Sequence, residues 1–158
     1  MANTQAMTTS FMGELMTATH NFGVAPIRSV TTVDSFKAAL YLTTATYNAA
    51  TTAYSATGEV SGTGYTAGGV AVTMGTVPTA TNSSTTAGVA FVTPSASITY
   101  TTVTLATAFD AVLLYNSTQS NKAVSVHTFG SQTVTAGTFT LTMPSNTTTT
   151  ALIRLATT

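Results

Sequence analysis

From Asp34 onward, apolar and polar side chains alternate along this chain with a period of two residues. In the first such segment the apolar positions are Phe36, Ala38, Leu40 and Leu42. This period puts one set of side chains on each face of a β-strand. The pattern therefore predicts a half-buried strand over 34–42 and a chain built mainly from strands.

The same alternation recurs in short runs that are separated by turn residues. Further strands are predicted at Val70–Met74, Val89–Thr93, Ser97–Leu105, Ala108–Tyr115, Lys122–Phe129, Thr138–Met143 and Leu152–Leu155. Loops are predicted at 48–69 and 77–88, a turn at 116–121, and a turn with a short strand at 130–137. The run 108–115 ends apolar on both faces, which predicts a central position in a sheet. Many short strands with turns between them favour an antiparallel β-sandwich or a jelly roll.

Threonine supplies much of the polar side of this alternation, with 40 of the 158 residues. It is β-branched and suits strands, and its hydroxyl keeps a surface hydrated without charge. Only 5% of the residues are charged and the formal net charge is zero, whereas about 25% are charged in ordinary soluble domains. A neutral surface lacks the repulsion that keeps monomers apart. We therefore expect the chain to pack against neighbours, with self-association as a dimer or trimer.

The N-terminal residues have a helical period instead. The positions that indicate a helix are Thr9 and Ser10 as caps, Phe11, Leu15, Ala18 and Phe22 on one face, Met12 and Met16 beside them, and Gly23 and Pro26 at the end. We interpret 1–26 as a helical arm of a single domain that spans 1–158. Two roles are open for this arm: it closes one end of the sheet or barrel, or it docks on a neighbouring subunit.

The two histidines do not predict a catalytic, cofactor-binding or metal site. His20 lies six residues after Glu14, which is not the spacing of two ligands on one helix face. His127 alternates within a strand and has no neighbouring carboxylate in sequence. A metal site needs several convergent ligands, and the chain has no cysteine. We interpret both histidines as structural and expect a protein that is not an enzyme.

Asp110 is the acidic residue in the least expected position, inside the most apolar strand. A lone buried charge is costly unless it is paired. We expect a solvent-facing or edge position, or a structural pair with Lys37, Lys122 or Arg154. The alternative is a salt bridge between subunits.

A glycine motif and the tyrosines give two further hypotheses. Residues 62–67 match G-x-G-x-x-A, but a strand follows and no acidic residue appears before Asp110. A dinucleotide fingerprint requires a helix and an acid, so these glycines predict tight turns with positive φ. The tyrosines are candidates for a sugar-binding groove, although such residues more often form core or interface: Tyr41, Tyr47, Tyr54, Tyr65, Tyr100 and Tyr115.

The charge and hydropathy patterns also bear on partners. No basic patch is present to neutralise phosphates, so no nucleic-acid partner is expected. No apolar run approaches the length of a membrane-spanning helix, and the N-terminus lacks the regions of a signal peptide. We expect cytoplasmic synthesis without membrane insertion.

Most of the chain carries segments with a family likeness. They are Asp34–Tyr41, Ala50–Gly69, Leu113–Val124, Thr138–Pro144 and Leu152–Ala156, together with the opening Met1–Thr4 and the helix with Glu14, Leu15 and His20. These segments resemble a Thr-rich family of tailed-bacteriophage virion structural proteins, of the capsid decoration or cement type. The region 74–94 resembles it least. The resemblance implies a structural role in the virion and brings no catalytic residues with it.

Small size, β-richness and neutrality favour a place on the outer surface of the capsid head. We therefore expect a decoration protein, made in the host cytoplasm, whose partners are the major capsid protein and further copies of itself. A tail, neck or fibre-base component is the alternative within the virion, and a glycan-binding adhesin module is the alternative of another class. The N-terminal helix and the glycine loop 58–69 are the first docking surfaces to examine.

Overall fold

In a computed structural model, the chain forms two open antiparallel sheets and one short helix. The structure describes residues 2–16, 19–22, 33–74, 78–81 and 88–156, and the structural statements below concern these residues. The elements are β1 (Ala6–Met7), α1 (Thr9–Met16), β2 (Phe36–Leu42), β3 (Val70–Val72), β4 (Thr79–Thr81), β5 (Val89–Val92), β6 (Ile98–Asn116), β7 (Lys122–Leu141) and β8 (Ile153–Ala156). The larger sheet has the order β1-β7-β6-β2-β3 and the smaller one β4-β5-β8. The prediction of a mainly β, antiparallel fold with one short N-terminal helix is confirmed.

The centre of the larger sheet is buried on both faces. Leu40 of β2 and Leu114 of β6 pack into the core on one face, while Tyr41 and Leu113 of the same strands pack into a second cluster on the other. The central position of 108–115 is confirmed. The prediction that 34–42 is only half-buried is wrong, because Tyr47 of the following segment covers Tyr41 with their ring centroids 3.7 Å apart.

Strands β6 and β7 are longer than the sequence predicts, with 19 and 20 residues. Separate strands were expected at 97–105 and 108–115, and a turn within 130–137; both expectations are wrong. The pairing of β6 with β7 instead continues through five shifts of register. A β-bulge inserts extra residues without ending a strand, and the broken alternation it leaves in the sequence is read as a turn. The predicted turn at 116–121 is confirmed, with positive φ at Ser120 and Asn121.

Part of the predicted loop 77–88 is a strand. Thr79–Thr81 forms β4, which pairs antiparallel with Val89–Phe91 of β5. Residues 77 and 82–87 lie outside the described residues. All three residues of β4 are exposed, so no apolar position marks this strand in the sequence.

The helix is shorter than predicted and ends at Met16. The Thr19 amide donates to the Glu14 carbonyl at 2.9 Å, a type of bond that closes helix C-termini. The expectation that Phe22 continues the helical face is wrong, because the chain leaves the helix and Phe22 stacks on Phe36 of β2 at 4.5 Å. The predicted helix positions Ala18, Gly23 and Pro26 lie outside the described residues.

The described part of the arm packs on the sheet of its own chain. In β1, Ala6 pairs with Val126 of β7. The Asn3 side-chain amide donates to the Leu42 carbonyl at 3.1 Å, and its oxygen accepts from the Tyr47 amide at 2.9 Å. The arm thus closes the β7 side of the larger sheet near the hairpin turn.

Two glycines let the loop 58–69 lie directly against the backbone of the sheet. A Cβ on Gly69, where φ is +70°, would lie 1.7 Å from the Ala38 carbonyl oxygen, and a Cβ on Gly62 would lie 2.0 Å from that of Thr104. The expected positive φ is confirmed at Gly64, Gly68 and Gly69, but it is wrong at Gly62, where the glycine serves close approach to Thr104 without a positive φ. The glycines in this loop serve close approach to β2 and β6.

Replacing Gly69 with Ala tests this packing. The new Cβ has no room beside Ala38 and the positive φ disfavours any side chain, so we expect a loss of at least roughly 2 kcal/mol in the free energy of unfolding. The matched control is Gly130→Ala, because a Cβ there meets no atom within 4 Å; it should change stability by less than about 0.5 kcal/mol. Urea unfolding of both variants gives the comparison, and equal stabilities would contradict the account.

Candidate functional site

A polar network joins the N-terminal arm to the hairpin turn between β6 and β7. Glu14 binds His20 Nε2 through Oε2 at 2.7 Å and Lys122 Nζ through Oε1 at 2.5 Å. The Asn116 side-chain amide donates to Asp34 Oδ2 at 2.7 Å and lies 3.0 Å from His20 Nδ1. We call Glu14, His20, Asp34, Asn116 and Lys122 the arm network.

The arm network fixes the state of its members. Because Asn116 Nδ2 can only donate, His20 Nδ1 acts as the acceptor and the ring donates from Nε2 to Glu14. Burial by itself raises the pKa of Glu14, but the hydrogen bonds from Lys122 and His20 and the charge of Lys122 outweigh it, and the pKa lies below its usual value. The network ties the arm to the sheet.

The contact between Glu14 and His20 was not predicted, because both residues were expected on one continuous helix. The helix ends between the two residues, and the returning chain brings them together. Asp110 has a partner in the arm: its Oδ1 accepts from the Asn3 side-chain amide at 2.7 Å. Among the described residues it forms no salt bridge with Lys37, Lys122 or Arg154.

A second polar cluster is centred on the Glu59 carboxylate. Oε1 accepts from the Tyr65 hydroxyl and from the Gly68 amide, both at 2.7 Å, and Oε2 accepts from the Tyr54 hydroxyl at 2.7 Å. Burial, with the hydrogen bond to Glu59 and its charge, raises the pKa of Tyr54 and of Tyr65. Both phenols therefore remain protonated donors, and Glu59 organises the loop 58–69 from within.

The other four tyrosines donate to backbone carbonyls. Their acceptors are Ser55 for Tyr41 and Tyr47, Ala38 for Tyr100, and Gly68 for Tyr115, at 2.7–3.0 Å. None of the six tyrosines is exposed. Phenols that already bond inside the protein do not form the open aromatic platform that a sugar-binding groove needs.

His127 lies beside a largely apolar cavity of about 140 Å³, which is also lined by Ile98, Leu141 and Leu152. Its Nε2 lies 2.8 Å from the Ser125 hydroxyl, and burial lowers the pKa of His127 to about 4. Ser125 is 3% exposed, and no described carboxylate bonds to the ring. This pair lacks the orienting acid and the access that an activated serine requires.

Within the described ranges, no group of three or more His, Cys, Asp or Glu side chains could hold a metal ion. In the same part of the chain, no helix is long and apolar enough to cross a membrane.

The outer half of the β6–β7 ribbon presents a different kind of surface. Thr99 and Thr101 of β6 and Thr138 and Thr140 of β7 are exposed, and we call these four residues the hydroxyl face. Thr99 pairs directly with Thr140, and their hydroxyls lie 3.5 Å apart. The residues between them in sequence, such as Tyr100, turn towards the core.

This ribbon also has little charge. The sequence contains no Asp, Glu, Lys or Arg from Ala123 to Ile153. The hydroxyl face is therefore an exposed polar surface that carries no ionic group. It is a candidate for contact with another protein.

Comparison of the chain with family models, with curated proteins and with solved structures found no match in any of the three.

Replacing Glu59 with Gln tests the second polar cluster. An amide cannot accept from all three donors, so the phenol of Tyr54 loses the acceptor for its proton, and we expect a loss of about 2 kcal/mol in stability. Asp110→Asn is the matched control, since its remaining oxygen still accepts from Asn3 and should keep the loss below about 1 kcal/mol. Equal losses in thermal or urea unfolding would argue against a special role for Glu59.

The pKa of His127 predicts how stability depends on pH. Between its ordinary value of 6.5 and about 4, the unfolded chain binds a proton that the folded chain does not. Stability is therefore fully present above pH 6.5 and falls as the pH is lowered to 4, by up to roughly 3 kcal/mol. Urea unfolding at pH 7, 5 and 4 measures this loss.

The variant His127→Gln separates this effect from that of Glu14. The lowered pKa of Glu14 acts in the same direction, but its contribution is lost only as the pH falls through its ordinary value of 4.5. The variant should therefore flatten the dependence between pH 6.5 and about 5 and leave a loss at lower pH. A variant with the same slope as the parent would show that His127 is not its source.

Proposed function

We propose that this protein is a capsid decoration protein of a tailed bacteriophage, which binds the assembled lattice of the major capsid protein and stabilises the head. The observation that carries the proposal is the hydroxyl face, which is exposed, ordered and free of charge. The likeness of the chain's segments to Thr-rich virion proteins points in the same direction.

The placement of the charged groups supports a binding role. Glu14, Lys122, Glu59 and Asp110 all have hydrogen-bond partners within the chain. The outer ribbon is left with hydroxyls, which exchange water for protein hydrogen bonds without the cost of desolvating an ion. A surface of this kind suits a lasting contact with another protein surface.

The proposed mechanism is mechanical. A protein that binds the assembled shell but not its separated subunits shifts the equilibrium towards the shell by mass action. Each copy contributes only a small free energy, but many copies act on one particle. No chemical step is needed, and the two polar clusters serve to hold the arm and the loop in place.

Copy number separates this proposal from a tail, neck or fibre-base role. A decoration protein occupies the shell in a fixed ratio to the capsid subunits, whereas a tail component is present in a few copies. The inward direction of the six tyrosines gives the glycan-binding alternative no specific support.

The test adds purified protein to phage shells that lack it. We expect saturable binding in a fixed ratio to capsid subunits and a higher temperature of shell opening, followed by light scattering. The double variant Thr99→Lys/Thr101→Lys places charges on the hydroxyl face and should bind at least tenfold more weakly. The control Ala80→Lys, at an exposed position in the smaller sheet, should bind like the parent. Binding of only a few copies, or none, would contradict the proposal.

A further inference from the structure

We propose that the outer end of β7 pairs with the same segment of a second copy of this chain, antiparallel and centred on Thr140. This inference rests on the proposed function. It names the surface through which copies of the protein would contact each other on the phage head. The pairing would join the larger sheets of two copies into one continuous sheet.

The first observation is an open strand edge. On one side β7 pairs with β6 along its length. On the other side β1 pairs with it only at Ser125 and Val126. From His127 to Leu141, no strand among the described residues pairs with that side. An open edge presents unpaired backbone N–H and C=O groups that can bind another strand.

The second observation concerns which part of the edge is regular. Register shifts interrupt most of the pairing with β6, and at Ala136 the backbone has a positive φ. Between Gly137 and Leu141, the ribbon contains one further bulge, and its extra residue is Thr102 of β6. Strand β7 therefore has no bulge of its own from Gly137 to Leu141. This end of the edge is straight enough to accept a strand.

The third observation is self-complementarity. A two-fold axis at Thr140 would place Thr138 opposite Thr142 and Phe139 opposite Leu141, each twice. The threonines are exposed and would meet on the hydroxyl face, while Phe139 and Leu141 are half-buried and would meet on the face that continues the core. An isologous contact requires this kind of match of a surface with itself.

The fourth observation selects a second copy as the occupant. A two-fold axis at Thr140 would bring a charge near the axis close to its own counterpart in the other copy, so a charge there would oppose the pairing. No charged residue occurs from Ala123 to Ile153, and neither lysine nor proline blocks the strand, as is common at protected edges. Nothing in this run opposes pairing between identical copies.

The contact is small. A pair of five-residue strands buries much less than the roughly 1,000 Å² expected of a stable dimer. We therefore expect two copies to associate only weakly in solution. When a shell binds two copies side by side, the contact between the copies becomes stable, because their effective concentration is then high.

Single cysteines test the geometry, because the chain has none of its own. In the variant Thr140→Cys, two copies would place the cysteine Cα atoms about 4.5–5.5 Å apart, within the range of a disulfide. In Thr138→Cys they would be about 14 Å apart. Under mild oxidation of the purified protein, we expect Thr140→Cys to form covalent dimers at least tenfold faster than Thr138→Cys.

A mixture provides the matched control. Thr138→Cys mixed with Thr142→Cys should form a mixed dimer faster than either variant forms a dimer with itself. Equal rates for all of these proteins would indicate random collision and overturn the inference, as would the absence of a dimer of Thr140→Cys. Circular dichroism checks that each exposed substitution leaves the fold intact.

These outcomes are independent of the shell-binding test. If Thr140→Cys does not cross-link while the parent still decorates shells, only the pairing through β7 is wrong. If it cross-links while the parent does not bind shells, the pairing stands and the decoration function is wrong.

Discussion

The antiparallel pairing of β6 with β7 is the interaction on which the rest of the structure depends. The two strands are joined by a short turn, so little chain entropy opposes their first contacts. The inner half of the ribbon lies between two apolar clusters, and its turn holds the arm through Asn116 and Lys122. The outer half carries the hydroxyl face and the open edge. One hairpin thus supplies both the centre of the core and the surface proposed for assembly.

The few charged residues act mainly inside the molecule. Glu14 fastens the arm to β7 through Lys122, and Glu59 fastens the loop 58–69 through two phenols and an amide. Each carboxylate holds a segment that has little regular secondary structure of its own. With the charges used in this way, threonine provides the polarity of the outer ribbon. A surface with hydroxyls and no ions lacks the charge repulsion that keeps monomers apart.

Much of the fold could be predicted from the sequence, because alternation reports burial directly. The central place of 108–115 followed from apolar residues on both faces, and the turn at 116–121 followed from its polar residues. The continuous length of β6 and β7 could not be predicted, since a bulge and a turn break the alternation in the same way. All three residues of strand β4 are exposed, so the strand has no pattern of buried and exposed positions. These failures concern positions where backbone pairing, and not side-chain burial, determines the structure.

The polar clusters were harder to predict, because their members are distant in sequence. The pairing of Glu14 with His20 depends on where the helix ends, and the bonds of Glu59 depend on the path of a glycine-rich loop. Core or interface positions were expected for the tyrosines more than a sugar-binding groove, but the hydrogen bonds that five of them make to residues 55–68 have no signal in their spacing. Asp110 was expected at a solvent-facing or edge position or in a pair with a cation; it is half-buried and accepts a hydrogen bond from the Asn3 amide of the arm.

The most direct test of the account is a cryo-EM reconstruction of the phage particle that carries this protein. The account predicts ordered density for the β6–β7 ribbon on the outer surface of the head, repeated across the capsid lattice and in contact with the major capsid protein. Density confined to the tail or neck, or particles that lack the protein altogether, would contradict it.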